Sequence, residues 1–391
     1  MPLVCALVLL ATVAHAARTP SISTLKAQAA TGAIDADVGQ PDGMAVDKRQ
    51  PPTKLEFRCP KGLFIQERAS KQLPGPGQHF SFGALVEWTE ILRQLDARPT
   101  AKLLLLVRHG QALSNWLGDL LGPDEWYKWE SKCAYENDTE AAEPPPPINL
   151  FDAELTTTGQ EESKALNGML AAGGWWAKLT GGHPVEAIVS PLSRCLQTAE
   201  LVMQGIKVTK ISVEENIRET LGEDSCDARR SVSSPADDDD PSSLEGPCEF
   251  DQGLAKKYPK FRFPVVNDTE RQMRRTGLLD KRHGGSDKPE GLGFGMITDS
   301  DTMWTVKREE QKHQVKRAVR FMKDVFDLVE GRVAIVVTHS GTVRSLLLAV
   351  GREPYRPQNT ELVPLLVDEI KPIDGGVNDD EIWSVAAVHE L

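Results

Sequence analysis

Lys102-Leu103-Leu104-Leu105-Leu106-Val107-Arg108-His109-Gly110 decides the fold. A continuous apolar run of this length reads as a strand buried on both faces, the mark of a parallel sheet covered by helices. The run stops abruptly at a cation, an imidazole and a glycine. In open parallel sheets, ligand-binding groups gather just beyond the C-terminal strand ends. Arg108 and His109 therefore stand where a site is expected, and Gly110 permits a tight turn or a close backbone approach. A second stretch, Arg332-Val333-Ala334-Ile335-Val336-Val337-Thr338-His339-Ser340-Gly341, repeats the design more than two hundred residues later. Val343, Leu346, Leu347 and Val350 follow it on one helical stripe. A core histidine is usually met inside an element, so two imidazoles at the exits of hydrophobic runs point to chemistry.

Outward from these two junctions, strands alternate with helices. Ser81–Leu95 carries Leu85, Trp88, Leu92 and Leu95 at helical spacing. Thr158-Gly159-Gln160-Glu161 is a capping-box pattern opening a helix. Glu186–Val189 is a short strand, after which Ser190-Pro191 suits the N-cap and first position of a helix. Val315 to Val329 marks a long amphipathic helix, and a last strand is expected near Ile382–Val388. Leu55–Gln66 reads as an ordered entry segment, and 118–149 and 224–300 as insertions. The fold class expected is α/β: a three-layer α/β/α sandwich with a mostly parallel central sheet. Residues 55–391 form one domain in this reading.

Composition is that of an ordinary globular chain, 391 residues with 40% hydrophobic and 26% charged. The formal net charge of −12 argues against nucleic acid or an acidic membrane as partner. The block Asp237–Asp240 reads as a solvated loop. Met1 to Ala16 has an apolar centre from Leu3 to Val13 and ends Ala14-His15-Ala16, a secretory signal-peptide pattern too short to span a bilayer. It lacks Lys or Arg near its start; an organelle-targeting segment or an uncleaved anchor are the alternatives. No later apolar run has membrane length. Residues 17–54 read as a disordered leader. Sequons at Asn137 and Asn267 are compatible with a secreted glycoprotein. Of the six cysteines, Cys5 would leave with the signal. Cys226–Cys248 is a candidate disulfide in an oxidising compartment, and the spacings match no zinc site.

A neutral imidazole is a competent nucleophile toward phosphorus. Phosphoryl transfer then needs cations around the transferred oxygens and an acid for the leaving alcohol. Arginine suits the first task because its planar fork binds two oxygens at once. Arg108 adjoins His109, and Arg194 lies in the first turn of a helix that follows a strand. His339 ends the second junction, and Asn115 lies shortly after the first. Glu219 is the candidate acid, able to donate a proton if partial burial raises its pKa. Arg229 and Arg230 either reach an anionic substrate or form surface salt bridges.

Five motifs then fall in order: Arg108-His109-Gly110 with Asn115; Leu155-Thr156-x-x-Gly159; Ser190-Pro191-x-x-Arg194-x-x-Gln197-Thr198-Ala199; Ile217-Arg218-Glu219; and Thr338-His339-Ser340-Gly341. Together they resemble the histidine phosphatase superfamily in its phosphoglycerate-mutase-like branch, branch 1. Cys226-Asp227-Ala228-Arg229-Arg230 also resembles an element of some eukaryotic members. The resemblance implies that His109 is the nucleophile and that Arg108, Arg194, His339 and Asn115 bind phosphate. Glu219 would protonate the leaving group and then activate water. No metal or organic cofactor is implied. The implied activity is phosphomonoester hydrolysis through a phosphohistidine, on a phosphorylated small molecule or phosphoprotein. Two other readings stay open: a phosphoglycerate-type mutase, and a secreted binding protein that kept the fold without turnover.

Overall fold

The computed structural model describes residues 57–68, 79–136, 147–233, 248, 252–266 and 294–370. The signal segment, the leader, the expected strand at 382–388, His283 and both sequons lie outside them.

Six strands form the central sheet: β1 (Phe57–Arg58), β2 (Lys102–Arg108), β3 (Val185–Val189), β4 (Lys210–Val213), β5 (Val333–Thr338) and β6 (Leu362–Glu369). Their order is β1-β6-β2-β5-β3-β4. The inner pairs β2–β5, β5–β3 and β3–β4 are parallel, in the register Leu105↔Ile335 and Ala187↔Ile335. β6 runs antiparallel to β2, with Leu105 opposite Pro364. Sequence patterning alone does not expect β6, because a proline breaks the run. Here Pro364 costs no ladder bond: among the described residues β1 pairs only with the far end of β6, at Asp368 and Glu369, so β6 is an edge strand at that point.

The apolar strands are buried because helices cover both sheet faces. Leu103, Leu105 and Val107 point to one side. They meet Trp88, Ile91 and Leu95 of α1 (Trp88–Asp96), and the same layer holds α3 (Thr157–Leu170) and α4 (Ser193–Val202). Leu104 and Leu106 point to the other side, against Phe321, Met322 and Val325 of α5 (Gln311–Leu328) and Val343 and Leu346 of α6 (Ser340–Ala349). Period-two alternation within one run thus feeds two cores, and the expected three-layer sandwich is the fold observed. The remaining long helix, α2 (Leu113–Leu121), follows β2.

Local signals slip by a residue or two. The cap of α3 is Thr156, whose hydroxyl accepts from Gly159 N, not the later Thr158. Ser190 does not cap α4. Asp152 does so from a distance, accepting Ser193 N at 2.8 Å and the Ser193 hydroxyl at 2.6 Å. The stretch 118–149 includes a two-stranded ribbon, Ala134–Tyr135 with Ile148–Asn149.

The disulfide expectation is corrected. Cys133 pairs with Cys248, their Cα atoms 5.1 Å apart, within a small apolar cluster with Phe151, Ala228 and Trp304. Cys226 is a buried free thiol. Its segment is fastened elsewhere, with Ser225 N on Glu130 O and the Ser225 hydroxyl on Lys132 O. Among the described residues, no helix is long and apolar enough to cross a membrane.

Candidate active site

β2 delivers His109 to the C-terminal edge of the sheet, 3% exposed. Its Nδ1 lies 2.7 Å from the carbonyl of Gly110. A carbonyl can only accept, so Nδ1 carries the proton and Nε2 keeps its lone pair. Burial first, then the charges of Arg194 and Arg108, hold the imidazole well below its ordinary 6.5. The ring is neutral and its tautomer is fixed. Gly110 is needed for a close approach, as expected, but to protein: a Cβ there would collide with the backbone of Gly159. Gly110 N donates to the Thr198 hydroxyl at 3.0 Å, so α4 and the β2 exit are held together.

Arg194, in the first turn of α4, is 2% exposed. Its guanidinium is held in three directions. Nε–H donates to His109 Nε2 at 3.2 Å, Nη1 to Cys226 O at 2.6 Å and Nη2 to Asp227 Oδ1 at 2.6 Å. β5 delivers His339, fully buried, with ring centroid 5.1 Å from that of His109. Its Nε2 lies 2.7 Å from the Ser190 hydroxyl. Burial and then the charge of Arg194 keep it neutral as well. The Ser190 position thus serves the second imidazole rather than a helix cap.

Arg108 donates from Nη1 to Pro357 O at 3.0 Å. Its Nε is buried without a hydrogen-bond partner in the protein. An orphaned cationic donor beside His109, whose imidazole its charge depresses, is suited to an anionic oxygen. Asn115 uses its side-chain carbonyl to accept Ala112 N at 3.1 Å, at the start of α2. That is the role of a turn residue; its Nδ2 remains as a donor.

Glu219 follows β4. Its carboxylate accepts Thr220 N at 2.9 Å and Gly341 N at 3.1 Å, at the N-terminus of α6. A Cβ at position 341 would strike that carboxylate, so the His-Ser-Gly glycine makes room for the acid. The raised pKa that an acid role would call on is not what the fold supplies. Burial does push Glu219 up, but the two backbone N–H bonds and the charges of Arg194 and Arg308 outweigh it, and the net shift is downward. Oriented amides at a helix N-terminus stabilise the ionised form.

Arg218, Arg229 and Arg230 are interior and paired. Arg218 binds Glu215 and Asp301. Arg229 donates to Glu215 at 2.6 Å and to the carbonyls of Thr298, Asp299 and Ser300. Glu215 also accepts Ile297 N, so residues 297–301 are riveted to the β4 exit. Arg230 pairs with Asp152 and Glu154. Neither Arg229 nor Arg230 makes a surface salt bridge; both belong to the wall. Leu155–Gly159 is structural too, with Leu155 N on the Gln197 side chain. Sequence reasoning missed Asp227, the partner of Arg194. It is buried and pushed up to about 7, by burial first and by Asp224 and Glu219 against the pull of Arg194. Its only sequence signal is its place in the Cys-Asp-x-Arg-Arg segment.

The structure therefore gathers Arg108, His109, Arg194 and His339 around one point, with Glu219 at the edge. Neutral imidazole, fixed guanidinium groups and an ionised carboxylate can together bind and transfer a phosphoryl group. Among the described residues, no cluster of His, Cys, Asp or Glu is arranged to hold a metal ion.

The model of the histidine phosphatase superfamily (branch 1) matches residues 149–227. A probable phosphoglycerate mutase of Arthroderma benhamiae is 23% identical over 273 residues, which is 68% of this chain. The chain spans 63% of that relative's length. Among solved structures, an Entamoeba histolytica phosphoserine phosphatase in complex with phosphoserine aligns at 15% identity, over 67% of this chain and 89% of that one, with a TM-score of 0.29. Bacillus stearothermophilus YhfR aligns at 16% identity, over 71% and 98%, with a TM-score of 0.30. The family match runs from residue 149 to 227 and takes in Asp152, Arg194, Glu219 and Asp227, so over this wall of the site the chain is similar to the histidine phosphatase superfamily, branch 1.

Proposed function

We propose that the protein is a phosphoric monoester hydrolase working through a phosphohistidine. The observation that carries this is the fixed tautomer of His109. With Nδ1–H on Gly110 O, Nε2 keeps its lone pair, which accepts Arg194 Nε–H until phosphorus takes that place. In the proposed reaction Nε2 attacks phosphorus and the bond from phosphorus to the ester oxygen breaks. Arg108, Arg194 and His339 hold the phosphoryl oxygens, with Asn115 as a further donor. Glu219 gives its proton to the leaving oxygen, then takes one from the water that attacks the phosphohistidine, releasing inorganic phosphate and free His109. Glu219 is depressed as it stands; a phosphate anion bound beside it raises it again, so substrate binding itself makes the acid.

The substrate class is a phosphorylated small molecule or a phosphoprotein. A mutase is the second reading, because the curated relative carries a phosphoglycerate mutase name. Gln111-Ala112 after Arg-His-Gly departs from the Glu-Ser of glycolytic mutases and favours hydrolysis. Export is part of the proposal: the signal-like segment 1–16 and the Cys133–Cys248 bridge both suit an oxidising compartment.

Release of inorganic phosphate from an aryl phosphate, without added metal and with chelator present, tests the reading. Hydrolysis is expected in the wild type, and His109→Ala should lower it by a factor on the order of 10³ or more while the protein stays folded. Isomerisation of phosphoglycerates with negligible phosphate release would select the mutase. Neither activity would leave only binding.

A further inference from the structure

Glu361 is a fully buried carboxylate that no step above uses. It lies where β6 meets the site. The antiparallel ladder with β2 has its last strand pair at Val107↔Leu362, yet main-chain bonding continues past it. Arg108 N donates to Glu361 O at 3.2 Å, and Thr360 N donates to His109 O at 3.2 Å. The Arg108 guanidinium donates to Pro357 O in the same turn. Three hydrogen bonds therefore tie the proposed nucleophile and its neighbouring cation to the segment from Pro357 to Glu361.

That segment is held in an unfavourable shape. Thr360 has φ +55, a left-handed conformation that is a true outlier for a β-branched residue. Such a corner persists only where its surroundings over-determine it. The Glu361 carboxylate supplies the surroundings. Tyr355 Oη lies 2.7 and 2.8 Å from the two carboxylate oxygens and shares its one proton with them, and Gln358 N donates to Oε2 at 2.8 Å. Gln66 Nε2 lies 3.4 Å from Oε1, and His79 Nε2 is also at 3.4 Å. Tyr355 and Gln358 close the turn on itself, while Gln66 and His79 anchor it to the N-terminal entry segment. A site that needed only packing would be filled at less cost by an apolar side chain.

We propose that Glu361 is the positioning residue for Arg108: its carboxylate fixes the Tyr355–Glu361 corner, and the corner aims the guanidinium at the phosphoryl group. This rests on reading the pocket as a phosphoryl site. An amide at 361 has one acceptor oxygen where donors address two, so Glu361→Gln breaks the network at nearly constant volume. Tyr355→Phe, which deletes one donor without opening a cavity, is the second variant should the first fail to fold.

The test is a double-mutant cycle with Arg108→Met, read by aryl phosphate kcat/KM and by inhibition with orthovanadate. In the wild-type background, Glu361→Gln or Tyr355→Phe should lower both kcat/KM and orthovanadate affinity about tenfold. In the Arg108→Met background the same change should cost nothing further. A purely structural role would lower thermal stability and leave oxyanion affinity alone. Unchanged orthovanadate affinity, or an equal loss in both backgrounds, overturns the positioning role and leaves the hydrolase intact. A wild-type protein with neither turnover nor orthovanadate binding overturns the hydrolase first, and the positioning role with it.

Discussion

The Nε–H of Arg194 stands 3.2 Å from Nε2 of His109, on the lone pair that would meet phosphorus. Asp227 and the Cys226 carbonyl hold the guanidinium there. A group already placed at the reacting nitrogen needs little reorganisation to follow the transferring oxygens. Arg194→Gln should therefore lower kcat by about 10²-fold, more than it raises KM, in steady-state assays with an aryl phosphate. A change confined to KM would reduce Arg194 to a ground-state anchor.

Glu219→Gln separates substrates by leaving group. Phenols with electron-withdrawing substituents leave without much protonation, whereas alcohols need it. The expected loss is about 10²–10⁴-fold on alkyl phosphates and much smaller on activated aryl esters. Equal losses across a leaving-group series would move the proton-transfer role off Glu219.

The acid side of the pH profile follows from the depressed imidazole. A protonated His109 has no lone pair to offer, and its pKa is held well below 6.5 by burial and by Arg194 and Arg108. Lowering pH through the ordinary histidine range should leave it neutral. After the substrate's own ionisation is taken out, the acid limb of kcat/KM should lie below 6.5 and move upward in Arg194→Gln, which removes one of the opposing charges. A limb at or above 6.5 in the wild type would contradict the buried, cation-flanked environment.

The Cys133–Cys248 bridge closes a loop of 115 residues in sequence. Cross-links of that span constrain the unfolded chain strongly, and loss of a native one costs roughly 2–5 kcal/mol. Cys133→Ser or Cys248→Ser should lower the denaturation midpoint accordingly, with Cys226→Ser giving a much smaller effect. Equal destabilisation by Cys226→Ser would point to a different pairing.

How much of this was legible in the sequence depends on whether a residue announces itself through its neighbours. Arg108, His109 and His339 do, because each sits at the exit of a hydrophobic run. Arg194 and Glu219 follow from motif order. Asp152, Ser190 and Asp227 do not: each acts on a side chain that only the folded sheet edge brings near, 41 residues away for Asp152 and Ser193 and 149 for Ser190 and His339. The downward shift of Glu219 was hidden for the same reason, since the amide of Gly341 that helps lower it lies 122 residues on. β6 escaped because Pro364 argues against a strand until one sees that, among the described residues, the side its nitrogen faces carries no neighbouring strand. The disulfide was misjudged because Cys226 and Cys248 are near in sequence, while Cys133 is near in space.

The charged rivets around Glu215 carry one more consequence. Arg218, Arg229 and Asp301 meet in a buried network that also binds the main chain of residues 297–304. Deleting that segment would remove Asp301 and leave Arg218 and Arg229 sharing Glu215 alone, one buried positive charge uncompensated at a cost of several kcal/mol. The excursion between β4 and α5 is thus not a detachable ornament: any shorter descendant of this chain would have to exchange those ionic residues for apolar ones in the same step.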